Sequence, residues 1–125
     1  MMTHRVALVS GALLMFAAVG LGAFGAHAMK GRIEADLQLT WQIAVQYHAW
    51  HALGLIGIGL LLKQGGARPA ASLASWLMLI GIVLFSGSLY ALALTGIRGL
   101  GMITPIGGVA FLAGWLALAW SAWQD

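Results

Sequence analysis

Four stretches of this chain, residues 6–27, 41–62, 70–95 and 105–123, are long, apolar and free of Asp, Glu, Lys and Arg. A helix needs roughly 20 mostly apolar residues to cross about 30 Å of hydrocarbon at 1.5 Å per residue. Each stretch meets that length. None alternates polar and apolar residues, so barrel strands are not indicated. The expected fold is an all-α membrane protein: a single integral domain over residues 1–125, built as a four-transmembrane-helix antiparallel bundle with short connections.

Composition supports this. The 125 residues are 62% hydrophobic and 7% charged, with six basic and three acidic side chains. A soluble domain carries about 25% charged residues, and a disordered chain would be polar. The basic residues Arg5, Lys30, Arg32, Lys63, Arg68 and Arg98 are scattered, so no patch forms that would neutralise a run of nucleic-acid phosphates. They suit loops that meet lipid headgroups. Arg5, Lys63 and Arg68 fall on one side of the membrane and Lys30, Arg32 and Arg98 on the other, which leaves the orientation unassigned. The absence of cysteine removes disulfides, thiolate metal sites and thiol catalysis.

The first stretch also has features of a secretion signal, with a basic start and Ala26-His27-Ala28 as a small-x-small site. Its apolar run is longer than a typical signal core, so retention as a span is expected. Between the first two spans, Ile33, Leu37 and Trp41 recur every four residues, with Glu34, Gln38 and Gln42 offset by one. This spacing predicts an amphipathic helical lead-in at the interface, running into the second span. Thr104-Pro105 predicts an N-cap followed by proline in the first helical turn.

Glycine is abundant, 18 residues, and mostly lies within the spans. Ala18, Gly22 and Ala26 are spaced by four, as are Ala110 and Gly114; such stripes let helices approach closely in lipid. The tryptophans suit interfacial belts and packing better than a cofactor box.

Polar side chains are costly in lipid, so their placement is informative. His27 ends the first span, and the second carries Gln42, Gln46, Tyr47, His48 and His51. The third returns with Ser86, Ser88, Tyr90 and Thr95, and the fourth begins at Thr104. All four helices therefore put polar groups in one half of the bundle. His27, Tyr47, His51, Ser86 and Tyr90 could meet in a single cluster, and Ser88, Arg98 and Thr104 are further candidate ligand-binding residues. Such a cluster is either a hydrogen-bonded plug that sets helix register or a pocket for a ligand.

The segments GAFGAH (22–27), YHAWHAL (47–53), SGSLYALAL (86–94) and TPIGG (104–108), followed by Gly114-Trp115, occur in this order. Together they closely resemble the YgdD-like family of small bacterial inner-membrane proteins, whose function is unknown. The resemblance implies a multi-pass protein of the bacterial inner membrane that keeps its first span. It supplies no reaction, substrate or cofactor.

Three classes of function fit these residues. The first is a non-enzymatic module that binds lipid, quinone or another membrane protein through the polar half-pocket, with Arg98 attracting an anionic headgroup. The second is a small transporter or channel in which His27 or His51 titrates, because no span holds a carboxylate. The third is haem or metal ligation by His27 with His51, or His48 with His51. No metal-binding motif, catalytic constellation or cofactor signature is present, and Ser86-Gly87-Ser88 is not a nucleophile elbow. Four short helices bury little of one another, which leaves room for a homo-oligomer or a larger membrane complex beside the membrane lipids.

Overall fold

The computed structural model describes residues 1–66 and 68–124. It is all-helical, with helices α1 (His4–His27), α2 (Ala35–Gly65), α3 (Pro69–Thr95) and α4 (Thr104–Trp123). Each is long and apolar enough to cross a membrane. Thr3 caps α1 by accepting from the Val6 N–H. Pro69 and Pro105 stand in the first turns of α3 and α4, where a missing N–H costs no helical bond. Gly96, at φ 72°, closes α3 in the left-handed region that glycine adopts freely, and its N–H bonds to Leu92 O at 2.7 Å.

The expected lead-in is helical from Ala35 and continuous with the second span, while residues 30–33 form a turn. Leu37 and Trp41 are buried and Ile33 is partly buried, as the spacing implied. That face packs on protein: Trp41 clusters with Met29 and Ala93, and Gln38 donates to the Gly25 carbonyl at 2.7 Å. A short 3-10 turn, Arg98–Met102, links α3 to α4.

The strongest pairings are α1 with α2 and α3 with α4, and α2 also packs along α3. Glycine permits the first of these. A Cβ on Gly11 would lie 2.7 Å from Ile56 and 3.1 Å from the Ala52 carbonyl, and one on Gly59 would lie 2.8 Å from Leu8. Gly22 sits opposite Val45 and Gly25 opposite Trp41, so the two helices run antiparallel in a single register. At the N-terminal end, the Met2 N–H donates to Ser72 Oγ at 2.7 Å and ties the start of the chain to α3.

This register sets a depth scale. The levels of Arg5 with Lys63 and of Lys30 with Asp36 are about 37–40 Å apart by helix rise, which spans the hydrocarbon thickness of about 30 Å with room to spare. Mid-membrane then falls near Ala49 and Trp50 of α2, with His48 and His51 on either side.

Helix α3 contains one π turn, Ile82–Ser86. It lies where α3 meets α4 most closely: a Cβ on Gly107 would stand 2.8 Å from Phe85 Cα. Just past it, Ser88 Oγ donates to the Phe85 carbonyl at 2.9 Å. Ser88 meets Thr104 Oγ1 at 2.6 Å. Because the Ser88 proton goes to Phe85 O, Thr104 is the donor in that pair. Thr104 thus does not cap α4 as its sequence context suggested. It lies within the helix, Ile103 precedes it in the cap position, and its hydroxyl is spent on α3.

Candidate functional site

His51 is 5% exposed and faces α4. Its Nδ1 lies 2.6 Å from the Tyr47 carbonyl, and Trp115 Nε1 lies 3.0 Å from its Nε2. An indole N–H can only donate, so Nε2 is the acceptor and Nδ1 carries the proton. The imidazole is therefore held neutral in one tautomer, with both nitrogens used. The ring stacks on Phe111 at 3.5 Å between centroids and 12° between planes.

Around this pair, Tyr47 packs on Phe85 at 4.5 Å and on Trp50 at 5.1 Å. The rings line a groove of about 520 Å³ between α2 and α4, with Gly108, Val109 and Leu112 on its α4 side. The groove opens toward lipid, since Trp50, Val109 and Leu112 are exposed. Helices α2 and α4 meet here through aromatic rings, whereas α3 and α4 meet through backbone. The Tyr47 hydroxyl, half-buried in the groove wall, makes no hydrogen bond among the described residues.

The remaining residues expected at the site are distributed elsewhere. Tyr90 Oη is 2.8 Å from His48 Nδ1, and its ring packs on Trp41 at 4.7 Å. Trp41 in turn donates to the Leu21 carbonyl at 2.8 Å, so this second cluster joins α1, α2 and α3. Among the described residues, the buried His48 Nε2 has no hydrogen-bond partner, and the Leu14 backbone of α1 lies beside the ring. Ser86 is fully buried and donates to the Ala44 carbonyl at 2.8 Å. Ser88 and Thr104 bind each other beside the π turn. His27 is exposed at the end of α1. Arg98 is exposed too and pairs with Asp36 at 2.8 Å and Glu34 at 3.4 Å, so its charge is answered by two carboxylates.

Of the residues expected to meet, only Tyr47 and His51 line the groove. His48 and His51, three apart, point to different neighbours, His48 toward Tyr90 and His51 toward Trp115. The partners that sequence reasoning missed are Phe85, Phe111 and Trp115. Phe111 and Trp115 stand four apart on one face of α4, a spacing the sequence already carries, but nothing in it says that this face meets His51.

Among known proteins, a family model described as protein of unknown function (DUF423) matches residues 21–108. The chain is 47% identical over 118 residues to the UPF0382 membrane protein YwdK of Bacillus subtilis (strain 168), covering 94% of this chain and 96% of that one. It is 47% identical over 120 residues to the UPF0382 membrane protein SH2409 of Staphylococcus haemolyticus, covering 96% and 97%. It is 49% identical over 114 residues to the UPF0382 membrane protein SERP0230 of Staphylococcus epidermidis, covering 91% and 92%. No solved structure matches.

Proposed function

The chain belongs to the family described as protein of unknown function (DUF423), whose relatives are UPF0382 membrane proteins, and for this multi-pass membrane protein we propose a binding role without chemistry of its own. The groove between α2 and α4 takes a membrane-soluble compound with a flat apolar ring and a hydrogen-bond acceptor, as a quinone has. The observation that carries this reading is the Tyr47 hydroxyl, which lacks a partner in the wall of a ring-lined groove of about 520 Å³. Ligand sites are commonly concave, about 300–1,000 Å³, mostly apolar, and furnished with a few placed polar groups. A phenol at hydrocarbon depth gains a hydrogen bond from a ligand carbonyl that it cannot gain from an acyl chain.

His51 serves this reading as a fixed wall. Its Nε2 accepts from Trp115 and its Nδ1 donates to Tyr47 O, which holds the Tyr47 backbone and the Trp115 ring in place. Titration of His51 would break the Trp115 bond, so the geometry favours binding over transport driven by this histidine. The same reading puts the protein in the bacterial inner membrane among membrane lipids, supported by its four apolar helices and by the likeness of its motifs to the YgdD-like family.

The test uses the protein in lipid nanodiscs. A short-tailed quinone should quench tryptophan emission saturably, through Trp50 and Trp115. Gly108→Leu, which fills the groove, should abolish saturation, and Tyr47→Phe should weaken binding by up to about tenfold. Quenching that is linear in the wild type, or unchanged in Gly108→Leu, would overturn the reading.

A further inference from the structure

Gln42 and Gln46 stand four apart on one face of α2, and both are exposed. On the depth scale set by the α1–α2 register, Gln46 lies about 5 Å from mid-membrane and Gln42 about 11 Å. Neither makes a hydrogen bond with another described residue. Among the described residues they are the exposed amide side chains inside the hydrocarbon. Lipid tails offer an amide nothing, so two unpaired amides there are a standing cost.

The surface beside them is concave. A hollow of about 290 Å³ runs between α1 and α2, lined by Gly22, Gly25 and Trp41, with Ala26 at its exposed rim and Val45 and the two glutamines beside them. Small residues there give a second helix room to approach closely. No formal charge lines the hollow.

We infer that this face of α1 and α2 is the contact surface for a second copy of the chain, sealed by Gln42 and Gln46. The choice of a second copy rests on chemistry. A primary amide carries both donors and an acceptor, so it complements itself. A two-fold axis along the membrane normal brings each residue opposite its equivalent at the same depth. Gln46 of one copy then meets Gln46 of the other, and Gln42 does likewise, without any other polar group. The groove between α2 and α4 lies on another face and stays open, so this inference stands apart from the proposed ligand.

The chain has no cysteine, so single-cysteine variants report cleanly. Ala26→Cys, at the exposed rim of the hollow, should give a covalent dimer with a short bis-maleimide in native membranes. Leu94→Cys, 60% exposed near the end of α3, should not. Adding Gln42→Leu and Gln46→Leu to Ala26→Cys should lower the crosslinked fraction by about an order of magnitude. Those substitutions place apolar side chains on a lipid-exposed face, and circular dichroism checks that the helices persist. Native mass spectrometry of the unmodified protein in nanodiscs should show a dimer that the double leucine variant loses. A monomeric wild type, a dimer indifferent to both glutamines, equal crosslinking at Leu94→Cys, or glutamine-dependent retention of a different protein on a monomer would each overturn the proposal.

Discussion

Trp115 Nε1 donates to His51 Nε2 at 3.0 Å, across the gap where α2 and α4 make little backbone contact. One hydrogen bond, backed by the stack of His51 on Phe111, therefore orients the aromatic wall between these helices. Trp115→Phe keeps most of the ring area and removes the donor. It leaves a buried ring nitrogen without a partner and should destabilise the bundle by about 1–2 kcal/mol. Adding His51→Phe removes the orphaned acceptor, so the double variant should lose less than the two single variants together. Unfolding by detergent titration gives these differences, and strict additivity would mean that the bond does not couple the helices.

The glycines separate into those that a neighbour requires and those that it does not. Gly107 has Phe85 Cα within 2.8 Å of where a Cβ would stand, and that neighbour is backbone, which cannot turn aside. Gly107→Ala should cost about 1–3 kcal/mol as α4 is pushed off the π turn. Gly20 has nothing within 4 Å of the same position. Gly20→Ala should be neutral or stabilising by up to about 1 kcal/mol, because alanine is the better helix former. Equal effects at the two positions would remove close packing as the reason for Gly107.

Arg98 ties the 3-10 turn before α4 to the first turn of α2 through Asp36 and Glu34. Its side chain is 61% exposed, so the pair is screened by water and salt and adds little to global stability. Its effect is local. Arg98→Gln should speed hydrogen exchange across residues 98–103 while leaving the unfolding midpoint nearly unchanged, and high salt should shift the wild type the same way. Exchange unaffected by either change would show that the turn is held by its backbone alone.

The helices were legible because their signal is local. Apolar length between Arg5 and Lys30, or between Asp36 and Lys63, needs no knowledge of the neighbours. The lead-in was legible for the same reason, since Leu37 and Trp41 share one face of α2, although Ile33 lies in the turn before the helix starts. The weighting of polar groups toward one half also followed from counting along antiparallel spans, although the α1–α2 register puts His51 just beyond mid-membrane. The pairing did not follow. Tyr90 was expected near His51 and bonds to His48, and Thr104 was expected to cap its own helix and bonds to Ser88. The aromatic wall of Phe85, Phe111 and Trp115 was not anticipated at all.

Residue order alone determined that this chain has four helices long and apolar enough to cross a membrane, and that histidine, tyrosine, glutamine and hydroxyl groups supply polar side chains within them. Charge exclusion from hydrocarbon enforces both, and it acts on each span separately. Only the tertiary structure decided which side chain answers which. That choice depends on how each helix is rotated about its axis, and helices that are apolar on nearly every side carry no stripe to state it. Rotation is set instead by contacts between chain segments far apart in sequence: Gly11 against Ile56, Gly107 against Phe85, and the indole of Trp115 against the imidazole of His51.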